Sequence, residues 1–179
     1  MRYRESPLTG CWVIEAEPIF DERGSFARSF DADEFRAHGL ETAVAQANLS
    51  QNRLRGTVRG LHYQAEPHGE SKLVRCLRGA IFDVALDLRP GSPSHGRWYA
   101  QELTADNGRS LYIPAGMAHG FQTLTDDSEV LYLMGHRYVA EAGRGVRWDD
   151  PAFGIQWPEA PPGGRTISEK DLAYPDHAP

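Results

Sequence analysis

A histidine, a lysine and a tyrosine in this chain could together move a proton on carbon. His62 lies in Gly60-Leu-His-Tyr-Gln64, Lys72 opens the run Lys72-Leu-Val-Arg-Cys-Leu-Arg-Gly79, and Tyr132 lies in Val130-Leu-Tyr-Leu-Met134. A neutral imidazole is a competent base near pH 7. An ammonium stabilises an oxyanion or an enolate by its charge. A phenol gives or takes a proton from a second direction. Gathered around one hollow, the three suit removal of a proton α to a carbonyl and its return on the opposite face, which is epimerisation. A carboxylate behind the histidine would orient the ring and stabilise its cation. The 25 acidic residues leave that choice open.

The elements that must position these groups read as almost entirely β. Eighteen Gly and twelve Pro punctuate many short apolar runs, the signature of an all-β sandwich or barrel. Strands are expected at Trp12 to Ala16, Gly24 to Phe30, Phe82 to Leu88, Trp98 to Thr104, Leu111 to Ile113, Gly120 to Leu124 and Glu129 to Met134. In the second of these, Phe26 and Phe30 share a face. In the third, Phe82, Val84, Leu86 and Leu88 alternate with Asp83, Ala85 and Asp87, the pattern of a half-buried strand. Asp31 caps a short helix over 33–38 that Gly39 closes. From Trp148 onward, dense Pro and Gly predict a tail without regular structure. A single domain over 1–179 is expected, two antiparallel sheets packed as a jelly-roll barrel.

Side-chain alternation along a strand then decides what the barrel holds. If 71–78 is a strand, Lys72, Val74 and Cys76 share a face, and the small apolar neighbours favour that face pointing inward. The opposite register, with Leu73 and Leu77 inside, stays open. Val130, Tyr132 and Met134 share a face. His62 shares one with Val58, Gly60 and Gln64. Arg59 and His62, three apart, fall on opposite faces of a regular strand, so both line one site only if the backbone bulges, and Gly60 is the place for it.

Composition narrows the partners. The net charge of −6 argues against broad nucleic-acid binding. No apolar stretch is long enough to span a bilayer. The N-terminus lacks the apolar core of a signal peptide. Cys11 and Cys76, far apart in sequence, are expected to be reduced. A cytoplasmic protein is expected.

The chain resembles the cupins. Pro114-x-Gly116-x-x-His119 keeps their second motif, whereas Lys72 stands where the first motif usually has a metal-binding glutamate. A cation there repels a dication. Several segments in order extend the resemblance nearly end to end: Asp21-Glu-Arg-Gly-Ser-Phe26, Gln46-Ala-Asn48-Leu-Ser50, Val58-Arg-Gly-Leu-His-Tyr-Gln64, Lys72-Leu-Val74, Asp83 through Ser94, Ile113 through Phe121, Leu131-Tyr132, Trp148-Asp-Asp-Pro151 and Ile167-Ser-Glu-Lys-Asp171. In these the chain is similar to the dTDP-4-dehydrorhamnose 3,5-epimerases. The resemblance implies a cupin-type double-stranded β-helix with a few short helices. It also implies metal- and cofactor-free epimerisation, at C3, C5 or both, of a nucleotide-linked 4-keto-6-deoxy sugar. By the same resemblance His62 is the base, Asp171 its carboxylate partner, Tyr132 the opposing acid and Lys72 the enolate stabiliser. Arg59 is implied as a diphosphate contact, Gln46 and Asn48 as nucleotide-side contacts, and His119 and Tyr138 as pocket residues. Arg23 and Phe26 are implied to be lent by a neighbouring subunit of a homodimer.

The chain departs from the family pattern at Arg28 and Gly143, where glutamates are usual, and at Leu133, where lysine is common. These departures fall on recognition rather than on the chemistry. Two other readings compete. One is a metal-dependent cupin oxygenase or isomerase using His62 and His119. The other is a catalytically idle sugar-nucleotide binder, which has no need of a matched acid and base.

Overall fold

The computed structural model describes residues 1–177 of the 179-residue chain. Six strands, β1 (Arg2–Glu5), β2 (Trp12–Glu15), β5 (Gln46–Asn52), β7 (Lys72–Arg78), β10 (Arg109–Ile113) and β12 (Ser128–Met134), form an antiparallel sheet in the order β1-β2-β10-β7-β12-β5. Five more, β6 (Val58–Gln64), β8 (Ala80–Asp87), β9 (Trp98–Thr104), β11 (Met117–Thr123) and β13 (Gly143–Gly145), form a second in the order β13-β6-β11-β8-β9. A hairpin of β3 (Ile19–Asp21) and β4 (Gly24–Phe26) stands apart from both. The two large sheets make the expected jelly-roll barrel.

Three apolar layers hold it together. Val13, Val74, Cys76, Ile81, Ala85, Leu103, Leu111, Ile113, Phe121 and Val130 fill the space between the sheets. On the outer face of the six-stranded sheet, Ile14, Leu73 and Tyr112 pack under Phe35 of helix α1 (Ala32–Ala37). On the outer face of the other sheet, Leu61, Val84, Leu86 and Ala118 are covered by Phe153, Ile155 and Trp157 of the C-terminal segment. Each layer removes apolar surface from water, and that burial is the main favourable term for such a barrel.

Lys72, Val74 and Cys76 do face the interior, and Leu73 faces the layer under α1. Helix α1 begins at its expected cap, with the Asp31 carboxylate accepting the Asp33 and Glu34 amides. Both cysteines are free and buried. Among the described residues, no helix is long and apolar enough to cross a membrane.

Three expectations are corrected. Strand β4 stops at Phe26, because the chain must turn to bring Phe30 against Phe35 and place the cap; Phe26 and Phe30 therefore do not share a face. The strand at 82–88 is buried on both sides. Its apolar row packs under the C-terminal segment, so Asp83, Ala85 and Asp87 point into the barrel instead of into solvent. The tail is not wholly irregular: it carries a one-turn helix, α2 (Glu169–Leu172), capped by Ser168.

The bulge expected at Gly60 is present. His119 pairs with His62 and Phe121 pairs with Arg59, so two residues of β6 oppose one of β11. The extra residue returns Arg59 and His62 to the same side of the sheet. Only glycine fits there. Gly60 has φ of +111°, and a Cβ would lie 2.6 Å from both Gly120 Cα and the His119 carbonyl oxygen. Gly60→Ala is expected to lower the free energy of unfolding by roughly 2–4 kcal/mol, combining backbone strain with overpacking. Urea denaturation at neutral pH measures this, and wild-type stability in that variant would contradict the packing described.

Candidate active site

One end of the barrel opens as a cleft of about 960 Å³. Nine of the eleven candidate residues line it: Gln46, Asn48, Arg59, His62, Lys72, His119, Tyr132, Tyr138 and Asp171. Arg23 and Phe26 do not. They sit on the β3–β4 hairpin, where Arg23 pairs with Asp21 and Phe26 is 77% exposed.

His62 is half-exposed on β6, and its ring Nε2 lies 2.7 Å from Asp171 Oδ1. The second carboxylate oxygen accepts the Gly60 amide at 3.3 Å. An ionised carboxylate only accepts, so Nε2 carries the proton and the neutral ring presents its lone pair at Nδ1. Asp171 is 4% exposed. Burial raises its pKa, but the hydrogen bonds from His62 and Gly60 outweigh that and hold the carboxyl below its ordinary range. Helix α2 places Asp171 here; its one turn exists because Ser168 accepts the Asp171 amide. The Tyr174 ring then lies edge-on to His62, and Gly145 leaves the room for it.

Lys72 enters from β7 and is 5% exposed. Its Nζ donates to the His62 carbonyl at 2.8 Å and lies 3.2 Å from Glu70 Oε1. Burial pushes the ammonium below the usual lysine range, while Glu70 and Asp83 pull it back up.

A second histidine–carboxylate pair lies deeper. His119 Nε2 donates to Asp83 Oδ1 at 2.7 Å, and Asp83 is wholly enclosed with its other oxygen unpartnered. His119 thus binds an interior carboxylate. Its ring stands edge-on to Tyr132, centroids 5.7 Å apart. Burial, then the charge of Asp83, drive the Tyr132 phenol well above the ordinary tyrosine range, against smaller opposing effects of Arg59 and Ser50. Tyr132 therefore stays protonated and can serve as an acid.

Sequence reasoning missed Asp83 and Glu70. Asp83 alternates with an apolar row that reads as the buried face, so it looks like the solvent side. Glu70 stands two residues before Lys72, a same-face spacing on extended chain that was the available signal.

The cleft mouth carries Arg59, Arg144 and Lys170, a positive rim on a protein of net charge −6. Arg59 is steadied by Asn52 Oδ1 at 2.7 Å. Gln46 accepts the Tyr138 amide, and Gln64 accepts the Val139 amide at 2.6 Å. Those two bonds fix the loop that carries Tyr138. Of the departures, Gly143 lies in the cleft wall, Leu133 packs in the outer layer, and Arg28 pairs with Asp31 at 2.9 Å outside the cleft. No three His, Cys, Asp or Glu groups converge as metal donors among the described residues.

A protein-family model described as dTDP-4-dehydrorhamnose 3,5-epimerase matches residues 5–178. The chain belongs to the dTDP-4-dehydrorhamnose 3,5-epimerase family. It is 48% identical over 175 residues to the dTDP-4-dehydrorhamnose 3,5-epimerase of Sinorhizobium fredii, covering 98% of this chain and 89% of that one. The crystal structure of the dTDP-4-dehydrorhamnose 3,5-epimerase from Elizabethkingia anophelis superposes with a TM-score of 0.94 at 36% identity, covering 98% and 96% of the two chains. The dTDP-6-deoxy-D-glucose-3,5-epimerase of Legionella pneumophila, solved in complex with dTDP-4-keto-L-rhamnose, superposes with a TM-score of 0.90 at 35% identity, covering 96% and 90%. The chain is thus an epimerase with the family's cupin-type barrel, and neither competing reading finds support.

The low pKa of Asp171 has a signed consequence for this epimerase. A carboxyl whose folded pKa is depressed adds stability above its unfolded pKa and loses it as pH falls through the folded value. Wild type should therefore be more stable than Asp171→Asn near neutral pH. That difference should shrink below the ordinary carboxylate range. Urea unfolding of both from pH 7 to pH 3 checks this, and a difference independent of pH would contradict it.

Proposed function

We propose that this epimerase inverts C3, C5 or both in a dTDP-linked 4-keto-6-deoxy sugar, as a step of deoxysugar biosynthesis. The observation that carries the reading is the meeting of the His62–Asp171 pair, Lys72 and Tyr132 in one cleft. His62 Nδ1 takes the proton on the carbon next to the C4 carbonyl. The C–H electrons form the C=C bond of an enolate, and charge collects on the C4 oxygen. Lys72 stabilises that oxygen. Asp171 holds the His62 ring in the tautomer that can accept and stabilises the resulting cation. Tyr132 then gives its proton to the carbon from the other face. Solvent restores the proton to Tyr132 and removes the one on His62. Charge at C4 is met by an ammonium already in place, and a metal dication beside it would be repelled.

The positive rim suits a diphosphate, with Arg59 as its principal contact. In this reading Gln46 and Asn48 serve the nucleotide side, and His119 and Tyr138 line the pocket near the substrate. The printed names of the relatives support a dTDP sugar. We further propose a homodimer. Ile19, Phe20 and Phe26 are each more than 70% exposed on a hairpin outside both sheets, an apolar surface that a second copy would cover. Such a hairpin would carry Arg23 and Phe26 to the partner's cleft. Two buried free thiols suit a reducing compartment, and we propose the cytoplasm.

Incubation of a dTDP-4-keto-6-deoxy sugar with the enzyme in heavy water should place deuterium at C3, C5 or both, read by mass shift and NMR. His62→Ala should reduce incorporation by a factor of about 100 or more. Tyr132→Phe keeps the base, so deuterium should still enter while net inversion falls. No incorporation by folded wild type would remove the reading. Light scattering should give twice the 19.9 kDa chain mass, and Phe20→Asp should shift it toward monomer; a monomeric wild type would remove the dimer.

A further inference from the structure

We infer that Glu70 is a positioning residue for Lys72: its carboxylate keeps the enclosed ammonium charged and aims the remaining N–H of Nζ at the cleft. The part concerning catalysis rests on the proposed function above.

The geometry is specific to this pair. The two side chains are 5% and 7% exposed, with Nζ 3.2 Å from Oε1. An ammonium has three N–H donors. One goes to the His62 carbonyl, and with the Glu70 carboxylate in ion-pair contact at 3.2 Å the ammonium still has donor capacity for the cleft that both residues line. Glu70 precedes Lys72 by two positions in the segment that leads into β7, and both side chains line the cleft. The backbone between is pinned by the Gly135 amide, which donates to the Ser71 carbonyl at 2.9 Å. Glu70 therefore approaches Lys72 from the segment that leads into β7.

Charge makes the same point. The charged and titratable groups facing Lys72 are Glu70 beside it, His62 on β6, Asp83 on β8, His119 on β11 and Tyr132 on β12. Asp83 is bound to His119. Glu70 is the one carboxylate in ion-pair contact with Nζ among the described residues. An enclosed lysine loses its proton readily, and a neutral amine would leave the enolate oxygen without its counter-charge. Burial does push the Lys72 ammonium down, and Glu70 is the largest opposing influence. Removing the Glu70 charge must then lower the pH at which Lys72 deprotonates.

The chain has only two lysines, Lys72 and Lys170, so protein labelled with 13C-lysine gives two Cε signals, and Lys170→Arg assigns them. Both are followed from pH 6 to pH 11 in wild type, Glu70→Gln and Glu70→Asp. Glutamine keeps the size and the oxygen acceptor but removes the charge. The Lys72 midpoint should fall by about one pH unit or more in Glu70→Gln. It should fall by less in Glu70→Asp, which withdraws the charge without abolishing it. The alkaline limb of kcat for solvent exchange should move down with it, while KM stays within about threefold. An unchanged Lys72 midpoint in either folded variant overturns the inference. The NMR titration uses no substrate, so its failure counts against Glu70 alone. Absence of deuterium exchange by wild type counts against the proposed reaction alone.

Discussion

Strands β6 and β11 approach so closely at Gly60 that a methyl group there would overlap the opposing backbone, and the site is assembled around that approach. The bulge it creates turns Arg59 and His62 to one side. It also turns the Gly60 amide toward Asp171. Leu61 remains in the apolar outer layer, its N–H and C=O both exchanged with Val146. A short α2 turn can therefore dock its carboxylate against both the bulge and the imidazole. The base, its partner and the cation at the rim depend on one glycine without a side chain.

Inside the barrel the polar groups come in pairs, because an enclosed charge is tolerable only when matched. His62 has Asp171, His119 has Asp83, and Lys72 has Glu70. The pairs push titration in opposite directions. Hydrogen bonds keep Asp171 ionised, whereas burial and Asp83 keep Tyr132 protonated. A base and an acid are thus held ready in the same cleft at the same pH, which is what inversion through an enolate asks of it.

The fold was largely legible because glycine, proline and alternation speak locally. Two ambiguities had one physical origin. Both sheets are covered on their outer faces, one by α1 and one by the C-terminal segment. A strand buried on both sides gives no clean inside, so Leu73 competed with Lys72 for the interior and Asp83 passed for a solvent-facing residue. The bulge at Gly60 was readable because Arg59 and His62 could not otherwise share a site. The role of Asp171 was not readable from its surroundings. It sits 109 residues from His62 on a one-turn helix, and only family resemblance singled it out. The Glu70–Lys72 pair was readable in principle from its spacing.

The central claim is that His62 and Tyr132 address opposite faces of one sugar ring while Lys72 holds the oxygen between them. A crystal structure of the enzyme with a bound dTDP-4-keto-6-deoxy sugar tests it most directly. The account predicts the C4 oxygen within hydrogen-bond reach of Lys72 Nζ, His62 Nδ1 over one ring face and the Tyr132 hydroxyl over the other. A sugar with both groups on the same face, or with C4 turned away from Lys72, would contradict it.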